Sequence, residues 1–584
     1  MTDLTLAPPA FYPTPDHFPV VWQKAGDARL TWSLNRMHWP APVTPLTGDF
    51  IALFLNSSRR VTWRFGQPKH TRCLRVNTYV YLAQEALDLS PAEFEAVAPQ
   101  AEAFIAAALP EFGRDWQERW LPEIHASLDY WENFDRPGAS VDQLLAHLDE
   151  TLARMDALSE IHHHITFLAE ISTSLFCDLY RDLFAQNSPS GAGENLDAFD
   201  LLQGIDQSTL RMSRDLWALS RLAQGIPAVQ TALAEQLPEA ALTLLGNTPA
   251  AAPFRQELQA CLNAHGWRSS GQPFELEAPS WRENPAGVIG VLQEYLGLPD
   301  RDSRAQLDRQ AARREKLQAE VLGRLAKYPP AVGEQFQLLL KAAQTGVWIS
   351  EEHHYWLDCF LTYQTRRVAL AFGERLARAG TLTCPEDVFY LTFAEIRQAA
   401  GAIGRGEPAW RGETAWKNMI SGRRAEMAYF RTVAPPPALG SDPAAGLSAG
   451  QPAPPEAFQR ADERFWGAPP PAAPNPRELR GNPGAAGLAR GPARVIRGLQ
   501  ESGALQRGEI LVVEMTSPAW ARLFHLAAGV VTDTGGVLCH TATVAREFGI
   551  PAVVGTQTGT QVICTGQMLE VNGAEGLVRL LPDD

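Results

Sequence analysis

The sequence predicts a multidomain protein in which a large, mainly α-helical domain precedes a C-terminal α/β domain. The chain has 584 residues, which is too long for one hydrophobic core. Apolar residues recur at helical spacing from about residue 88 to residue 430, whereas short β-branched runs alternate with Gly-rich turns from about residue 478. We therefore expect a helical domain over residues 1–431, a linker over residues 432–477 and an α/β domain over residues 478–584.

The composition argues for a globular protein that binds neither nucleic acid nor a membrane. Hydrophobic residues make up 45% and charged residues 20% of the chain, and the formal net charge of −15 repels nucleic-acid phosphates and anionic lipids. The seven cysteines form no CxxC pair, and no apolar stretch approaches the ~20 residues that span a bilayer. The first 15 residues lack the basic start and apolar run of a secretory signal. We expect a cytoplasmic protein.

Start and stop signals divide the helical domain. Residues 1–85 mix prolines, aromatics and short apolar runs, which predicts an extended, turn-rich segment. A helix is predicted to start at Ser90, because a proline follows it and Glu93 stands three residues after the cap. A later helix is predicted to start at Ser350, with two glutamates in its first turn, and to end at Gly380.

The segment between the domains changes in composition. Residues 432–477 contain three Pro-rich clusters among Ala and Gly, which predicts a semi-rigid linker with one short helix at residues 456–466. At about 3.1 Å per residue in polyproline geometry, a ~45-residue linker reaches on the order of 100 Å. That reach suits a domain that must visit two places.

The α/β domain carries the most informative pattern of the chain, at residues 529–551. A strand is predicted to end at Asp533, and a Gly-Gly turn and His540 follow it. A short helix is then predicted over about residues 541–548, with Gly549 as its stop. His540 therefore lies at a helix N-terminus, where free N–H groups and the helix dipole would hold a phosphoryl group on the imidazole.

Imidazole is suited to carry such a group, since it is largely neutral and nucleophilic near pH 7 and its phosphoramidate divides a difficult transfer into two easier ones. The simpler interpretation is that His540 only caps a helix, but the turn, the helix start and the helix stop together favour a phosphohistidine. Glycines admit close backbone approach, hydroxyl and thiol groups add weak donors, and a folded-back arginine adds positive charge. The predicted phosphate-binding residues are Thr534, Gly535, Gly536, Cys539, Thr541 and Arg546.

Residues 532–555 closely resemble the phosphohistidine swivelling domain of the phosphoenolpyruvate-utilising enzymes. The family pattern TxxGGxxSHxAxVARExGIPAVVG fits this segment at every specified position except one, where Cys539 replaces the usual Ser or Thr. The resemblance implies that His540 is phosphorylated during turnover. Because cysteine is the weaker hydrogen-bond donor, the departure concerns the role of Cys539 and leaves that of the histidine unchanged.

The helical domain also resembles this family, in the branch that includes phenylphosphate synthase and rifampicin phosphotransferase. Trp32 and His38 are similar to the segment that precedes the acceptor-binding domain of the family. The other similar segments are residues 42–46, 201–204, 279–285, 351–358 and 385–392. The resemblance implies an acceptor-binding helical domain and a C-terminal swivelling domain, and hence a transferase that acts as a dikinase-like phosphotransferase and is itself a phosphoprotein.

Two parts of the wider family find no counterpart in these residues. Nothing resembles an ATP-grasp domain, there is no GxxxxGK[ST] loop, and the 44 residues after His540 are too few for a TIM barrel of ~250 residues. The resemblance then implies a separate ATP-grasp subunit that phosphorylates His540 from ATP, with AMP and phosphate as by-products. Mg²⁺ is expected with that nucleotide-binding partner and not in this chain.

The acceptor site has weaker signals in the sequence. Glu352, His353 and His354 are candidates to bind a small organic acceptor, and one of them to take the proton of its hydroxyl, although a helix cap with core packing is the simpler explanation. Residues 162–164 are three histidines in a helical run; adjacent helical residues face different directions, so they are not expected to ligate one metal. No metal site is predicted.

Three functions remain open from the sequence. The first is phosphoryl transfer from a phosphohistidine to a small acceptor, as the carrier and acceptor-binding subunit of a split enzyme. The second keeps the phosphohistidine but uses the phosphorylated acceptor as an intermediate for ligation. The third is a degenerate family member that binds a small molecule or partner without turnover, which the intact segment around His540 disfavours.

Overall fold

The computed structural model describes residues 17–582 apart from residues 25, 37, 185–196, 273, 298–302, 406–412, 442–455, 469, 472–474 and 517. It consists of a mainly helical region followed by a C-terminal α/β region, which confirms the predicted multidomain class. Parts of the predicted linker, residues 442–455, 469 and 472–474, lie outside the described residues. In the described part of the chain, no helix combines the length and the apolar character needed to cross a bilayer.

The helices begin and end as follows: α1 Pro45–Asn56, α2 Pro91–Ala108, α3 Phe112–Asp115, α4 Leu121–Asn133, α5 Val141–Phe184, α6 Asp197–Asp200, α7 Ser208–Gln224, α8 Pro227–Glu235, α9 Pro238–Gly246, α10 Ala252–His265, α11 Ala286–Leu296, α12 Ser303–Leu325, α13 Pro330–His353, α14 Phe360–Arg378, α15 Phe393–Gly404, α16 Glu413–Phe430, α17 Glu456–Trp466, α18 His540–Phe548 and α19 Gly559–Val562. Two π-helical turns, Trp116–Trp120 and His354–Cys359, join helices end to end.

The strands are β1 Thr31–Leu34, β2 Lys69–Val76, β3 Tyr79–Ala86, β4 Ala438–Gly440, β5 Glu478–Arg480, β6 Asn482–Ala485, β7 Leu488–Ile496, β8 Ile510–Val513, β9 Gly529–Thr532, β10 Ala552–Val554, β11 Met568–Asn572 and β12 Leu577–Leu580. They form an antiparallel sheet of order β2-β3-β1-β4 and a mixed sheet of order β5-β12-β11-β7-β8-β9-β10-β6.

The helical domain is built around two long helices, α5 and α13, which pack along each other. Their apolar faces meet in one large core, where Phe176 of α5 and Phe336 of α13 are fully buried with ring centroids 5.5 Å apart. This amphipathic pattern is the one that drives helices together in water. The cavity described below lies where both helices approach the α/β domain.

The α/β domain has a parallel centre. Strands β7, β8, β9 and β10 run parallel, and every residue of β8, β9 and β10 is buried, as expected for strands covered on both faces. The sequence-predicted strand of residues 510–513 is confirmed as β8, and the helix after His540 is confirmed as α18. Because parallel strands end at the same edge, the loop after β9 projects α18 from the carboxyl edge of the sheet.

The N-terminal segment differs from the prediction. Residues 31–86 contain β1, β2, β3 and α1 and are not an extended, turn-rich segment. Helix α1 forms because the Thr44 side chain accepts a hydrogen bond from the N–H of Thr47, and Pro45 occupies the first helical position. The predicted capping box at Ser90 is confirmed, and it starts α2.

The helix predicted to start at Ser350 starts instead at Pro330. Apolar residues at helical spacing continue back through α13, so that Ser350 lies in its last turn and the predicted N-terminal acids lie near a helix C-terminus. The chain then passes through the π turn into α14, which ends at Arg378 just before Gly380, whose φ is +79°. The predicted end of this helix is therefore confirmed, and its predicted start is wrong.

Two described parts of the predicted linker pack on the helical domain. Strand β4 pairs with β1, and α17, which confirms the helix predicted at residues 456–466, packs on α5. Arg464 of α17 holds the Asp178 carboxylate of α5 at 2.8 Å, with both side chains buried. Only residues 467–477 separate α17 from the first strand of the α/β domain.

Candidate active site

His540 is the first residue of α18 and lies at the helix N-terminus that the sequence predicts. Strand β9 ends at Thr532, a loop with the Gly-Gly turn follows, and Cys539 takes the N-cap position with extended backbone. Gly549 ends the helix with φ of +66°, a left-handed conformation that favours glycine. The free N–H groups and the positive dipole end of α18 therefore surround the base of the His540 side chain.

The two ring nitrogens of His540 have different surroundings. Nδ1 lies 3.0 Å from Oε1 of Glu351, which belongs to α13 of the helical domain. The same carboxylate accepts a hydrogen bond of 2.6 Å from Thr209 Oγ1. Nε2 is buried and has no hydrogen-bond partner among the residues that the structure describes. The carboxylate thus favours the tautomer with the proton on Nδ1 and leaves the lone pair on Nε2.

Burial and electrostatic interactions act in opposite directions on Glu351. Burial raises the pKa of this carboxyl group, but the interactions with His540 and Thr209 outweigh burial and bring the pKa down to about 2. Glu351 is therefore an anion at neutral pH. It can hold the Nδ1 proton and stabilise the positive charge that the ring gains when Nε2 carries a phosphoryl group.

His540 opens into a cavity of about 320 Å³ that residues of both domains line. This volume lies within the usual range for small-molecule pockets. The wall follows α5 from His162 to Thr173, which is about 16 Å along the helix axis. The aromatic rings on the wall include those of Trp39, Phe54, Phe167, Phe199, Phe274 and Trp466. The cavity therefore suits an elongated, largely apolar molecule.

Two carboxyl groups on the cavity wall, Glu170 and Asp462, form no ion pair with the residues that the structure describes. Burial raises the pKa of Glu170 to about 8, and the nearby Asp462 charge adds to the shift. Glu170 is thus largely protonated at neutral pH. It can donate a hydrogen bond to a polar group of a bound molecule.

The structure brings all six predicted phosphate-binding residues to the loop and helix around His540. Thr534 lines the cavity, and its hydroxyl donates to the Glu514 carbonyl at 3.1 Å. Gly535 also lines the cavity and has φ of +102°, which favours glycine. Gly536 admits α17, since a Cβ there would lie 2.2 Å from the Arg464 carbonyl oxygen. The second glycine of the turn therefore has a packing role in addition to the predicted one.

The remaining three are also held by local contacts. Burial raises the pKa of the Cys539 thiol, and Thr541 forms a side-chain hydrogen bond of 2.8 Å within its own domain. Arg546 folds back, as a phosphate-binding role requires, and its guanidinium donates to the Val537 carbonyl. The same guanidinium lies 4.0 Å from the ring centroid of Phe199, across the domain interface, and it lines the cavity. Positive charge is thus placed on the wall near α18.

Of the three predicted acceptor-binding residues, His353 and His354 line the cavity and Glu352 does not. The Glu352 carboxylate lies 2.5 Å from the guanidinium of Arg211, with which it forms a salt bridge. His353 Nδ1 donates to the carbonyl of Ile349 at 3.0 Å, which leaves its Nε2 as the atom with a lone pair. The structure therefore puts the two histidines, and not Glu352, where they can contact a bound molecule.

His162, His353, His354 and Asp358 form a histidine–aspartate cluster on the cavity wall. His354 Nδ1 lies 3.2 Å from Asp358 Oδ2. Burial lowers the pKa of His353 to about 4; burial also lowers that of His354, but Cys359 and Asp358 outweigh it and raise the pKa to about 10. At neutral pH His353 is therefore neutral and keeps a lone pair on Nε2, whereas His354 is protonated.

The α/β domain is docked on the helical domain through polar contacts. Glu547 of α18 accepts hydrogen bonds from the N–H of Gly204 at 3.0 and 3.2 Å. Gln306 and Gln310 of α12 donate to the carbonyl of Glu547 at 2.6 and 2.8 Å. At the other side of the cavity, Arg36 forms a salt bridge of 3.2 Å with Glu514. These contacts hold His540 over the cavity.

The sequence did not identify three residues of this site. Glu351 pairs with His540, and His162 and Asp358 belong to the cluster, although only the acidic and histidine-rich segment 351–358 signals any of them. The pairing depends on docking of two domains, and the cluster depends on packing of α5 against the end of α13. The residues of each contact are far apart in the sequence, so no local pattern predicts either contact.

Comparison with known protein families finds two matches in this chain. The rifampicin phosphotransferase fourth domain matches residues 163–351, which include Glu351. The mobile domain of PEP-utilising enzymes matches residues 505–576, which include His540. The two sides of the His540 contact therefore come from segments that are each similar to a part of the same enzyme family.

Individual relatives extend the similarity over the chain. Chondramide synthase of Chondromyces crocatus is 37% identical over 576 residues, which is 97% of this chain and 14% of that protein. Rifampicin phosphotransferase of Streptomyces sviceus is 30% identical over 341 residues, or 58% of this chain and 36% of that protein. The prodigiosin synthesizing transferase of Serratia marcescens is 28% identical over 380 residues, or 63% of this chain and 38% of that protein.

The chain thus spans between 14% and 38% of the length of these three relatives. The matched segments nevertheless include His540 and Glu351, the two residues whose side chains meet at the cavity. These findings show that residues 163–351 and 505–576 are each similar to a domain of the phosphoenolpyruvate-utilising enzymes.

Proposed function

We propose that this protein carries a phosphoryl group on Nε2 of His540 and transfers it to an oxygen of a small organic acceptor bound in the cavity. The observation that carries the proposal is the difference between the two ring nitrogens. Nε2 is buried without a hydrogen-bond partner in the described chain, whereas Nδ1 is held by the carboxylate of Glu351. A nucleophile with one nitrogen held by a carboxylate and a second nitrogen whose lone pair is not engaged suits covalent catalysis.

Glu351 has a defined role in this proposal. During transfer, the acceptor oxygen forms a bond to phosphorus, the bond between phosphorus and Nε2 breaks, and its electron pair returns to the imidazole. The imidazole leaves more readily when Nδ1 is protonated, and the Glu351 anion stabilises that proton. Because Glu351 belongs to the helical domain, its contribution exists only when the carrier domain is docked on the acceptor side.

The cavity sets the class of acceptor. Its aromatic wall and its extent of about 16 Å along α5 favour an elongated, largely apolar molecule with a hydroxyl at the His540 end. The guanidinium of Arg546 and the N-terminus of α18 supply positive potential for the phosphoryl oxygens. We assign no role to Glu352 in this binding, since its carboxylate is paired with Arg211.

The phosphoryl donor in this proposal is ATP held by an ATP-grasp partner outside these 584 residues, with Mg²⁺ at that partner's nucleotide. One histidine cannot be in line with both a nucleotide and the acceptor without moving. Since β4 and α17 pack on the helical domain, the proposed moving unit is the α/β domain that begins at β5.

A second use of the same chemistry is ligation through a phosphorylated intermediate. Two of the relatives are named as a synthase and as a synthesizing transferase, which favours this variant for members of the family with a second substrate. The two variants share the phosphohistidine and differ only in the fate of the phosphorylated acceptor. Product analysis separates them, because ligation releases the phosphate that transfer leaves on the acceptor.

The carrier assignment can be tested without knowledge of the partner or the acceptor. Phosphoramidate phosphorylates histidines directly, and we expect it to add one acid-labile phosphoryl group to this protein at His540. The substitution His540→Gln is expected to abolish this labelling, as measured by intact mass and by ³¹P NMR at alkaline pH. The matched control is His125→Gln, because His125 is an exposed histidine of the helical domain.

The labelled nitrogen is part of the same test. The ³¹P and ¹⁵N chemical shifts distinguish an Nε2 from an Nδ1 phosphoramidate, and we expect Nε2. Full labelling of the His540→Gln protein would refute the carrier assignment. Labelling of His540 at Nδ1 would refute the proposed role of Glu351 but not the carrier role.

A further inference from the structure

The histidine–aspartate cluster brings three metal-binding side chains together beside the acceptor cavity. One ligand atom each of His162, His353 and Asp358 lies within 4.8 Å of the other two. His162 Nδ1 is 2.9 Å from Asp358 Oδ1, and His353 Nε2 is 3.9 Å from Asp358 Oδ2. All three residues line the cavity. In a tetrahedral site with metal–ligand bonds of ~2.1 Å the ligand atoms are about 3.4 Å apart, so each of these two distances has to change by only about 0.5 Å.

The backbone is adapted to this arrangement. Residues five apart in an α-helix point about 140° away from each other, and so His353 and Asp358 would not face one point. The chain instead forms a π turn at His354–Cys359, whose i→i+5 hydrogen bonds stack residues five apart. Such turns are frequent at functional sites. The extra residue in this turn therefore aims both side chains at His162 of the neighbouring α5.

The polar atoms of the cluster converge on one point. His162 Nδ1 and Asp358 Oδ1 are buried side-chain atoms that lie 2.9 Å apart. The proton of His353 is directed at the Ile349 carbonyl, which leaves Nε2 as a ligand. His354 holds the other oxygen of Asp358. A cation bound here would replace the proton that the metal-free protein holds between His162 and Asp358.

We propose that His162 Nδ1, His353 Nε2 and the Asp358 carboxylate bind one divalent transition-metal cation of the zinc class in the cavity wall. Two imidazoles and one carboxylate suit such a cation, whereas Mg²⁺ and Ca²⁺ prefer oxygen ligands. Three protein ligands leave a coordination position open toward the cavity. If the proposed function holds, that position binds the acceptor's hydroxyl oxygen, which then loses its proton to solvent near neutral pH before it attacks phosphorus.

This site is compatible with the sequence argument about residues 162–164. Three consecutive helical histidines cannot converge on one metal, and only His162 of the three joins the cluster. His163 Nε2 instead contacts the carbonyl of Phe54 at 3.2 Å. The other ligands come from the end of α13 and the π turn, which only tertiary packing brings to α5.

The test is metal binding by the full chain without nucleotide or acceptor. After treatment with chelator and dialysis, we expect the protein to bind one equivalent of Zn²⁺ in competition with a colorimetric chelator, and Co²⁺ to give the visible absorption of a site with nitrogen ligands. The substitutions His162→Gln and His353→Gln are each expected to weaken Zn²⁺ binding by about 100-fold or more. His164→Gln is the matched control, since its ring packs on Phe65 and Trp120 and does not line the cavity.

Each outcome decides the proposal. Absence of Zn²⁺ binding by the unsubstituted protein, or unchanged binding after both His162→Gln and His353→Gln, overturns it. Circular dichroism shows that the variants are folded, and Asp358→Asn is informative only if it passes that check. Phosphoramidate labelling of His540 in the metal-free protein tests the proposed function separately, because loading of the carrier does not involve the cluster.

Discussion

The α/β domain supplies its half of the site from one continuous segment, residues 532–555, whereas the helical domain assembles its half from several elements. In the first half, β9, the Gly-Gly turn and α18 follow one another directly, and the phosphate-binding candidates are all within a few residues of His540. In the second half, α5, α13, the π turn and α17 each contribute one or more side chains to the cavity wall.

This difference matches what each half has to do. A continuous segment keeps its geometry when the domain moves, because its hydrogen bonds lie within the moving body. A cavity assembled from several packed helices can change its shape through single side chains while the carrier stays the same. We infer that the carrier half defines the chemistry and that the helical half defines the acceptor.

The contact between the halves combines apolar packing, in which Val537 joins the core of the helical domain, with a set of hydrogen bonds. Fully buried apolar side chains such as Phe176 and Phe336 hold α5 to α13, but Glu547, Gln306 and Gln310 hold the carrier domain through hydrogen bonds. Polar interdomain contacts of this kind are typical of domains that separate and dock again. The comparison predicts that substitutions of His540, of Glu351 and of the docking residues Gln306 and Gln310 impair different steps of the reaction.

The largest loss of activity is expected when the contact between Glu351 of the helical domain and His540 of the α/β domain is changed. In Glu351→Gln the side chain can still accept the Nδ1 hydrogen bond, but it no longer stabilises positive charge on the ring. Loss of one such group typically costs 10²–10³-fold in rate. We expect the transfer from phosphorylated His540 to an apolar hydroxyl-bearing acceptor to slow by about that factor, as followed by loss of the phosphohistidine ³¹P signal.

Phosphorylation of His540 by the ATP-grasp partner should keep its rate in Glu351→Gln, because the two side chains are in contact only in the docked arrangement. Glu352→Gln is the adjacent control, since it removes a carboxylate that is paired with Arg211 and does not line the cavity. Thermal unfolding reports whether either buried substitution destabilises the helical domain. Equal losses of both half-reactions in Glu351→Gln would show that the pairing is not specific to the acceptor side.

The next effect concerns docking. The double variant Gln306→Ala and Gln310→Ala removes the donors to the backbone carbonyls of α18. At about 1 kcal/mol for each lost side-chain contact, the docking equilibrium should shift by about 2 kcal/mol, or roughly 30-fold. Energy transfer between dyes on the exposed Cys564 and on a Leu237→Cys substitution, which is also exposed, measures the docked fraction.

Gln293→Ala is a matched control for this pair. Gln293 also donates from its side-chain amide to backbone carbonyls, of Leu233 and Gln236, but these contacts lie within the helical domain. It should leave the docked fraction unchanged. A double variant that docks like the unsubstituted protein would show that the α12 contacts do not determine the position of the carrier domain.

The sequence predicts the carrier half nearly completely. The end of β9, the start of α18 at His540 and the stop at Gly549 follow from local signals, because a strand, a tight turn and a capped helix are each determined by neighbouring residues. The helical half is different. The helix start proposed at Ser350 is wrong because tertiary packing continues the apolar periodicity of α13 through that position.

The same reason explains why the function of individual residues in the helical half could not be predicted. Glu352 is conspicuous in the sequence, but its neighbour Glu351 faces His540, since one residue along a helix turns the side chain by about 100°. His162 becomes a candidate ligand only through its contact with Asp358, which lies almost 200 positions later in the sequence. Such pairs are visible only once the helices are packed.

The smallest effect is a pH dependence of docking through Glu547. Its carboxyl group is buried between the domains, and this burial raises its pKa to about 7. The hydrogen bond from Gly204 and the charges of Arg314 and Arg546 lower the pKa, but the nearby Glu351 charge raises it further. In the separated carrier domain the group faces water, and its pKa returns toward the ordinary 4.5. The docked state therefore binds the proton more tightly than the separated state.

Docking is then favoured at low pH, with the full contribution below about pH 4.5, and this contribution is lost as the pH rises through 7. Between pH 6 and pH 8 the docking equilibrium should weaken by about tenfold, or about 1.4 kcal/mol. Glu547→Gln mimics the protonated carboxyl group and can still accept from Gly204. We expect this variant to dock at pH 8 as tightly as the unsubstituted protein does at pH 6, in the same energy-transfer measurement. If the Glu547→Gln variant retains the tenfold change, another group controls the pH dependence of docking. The contact of Glu547 with the helical domain would then not determine how tightly the α/β domain docks.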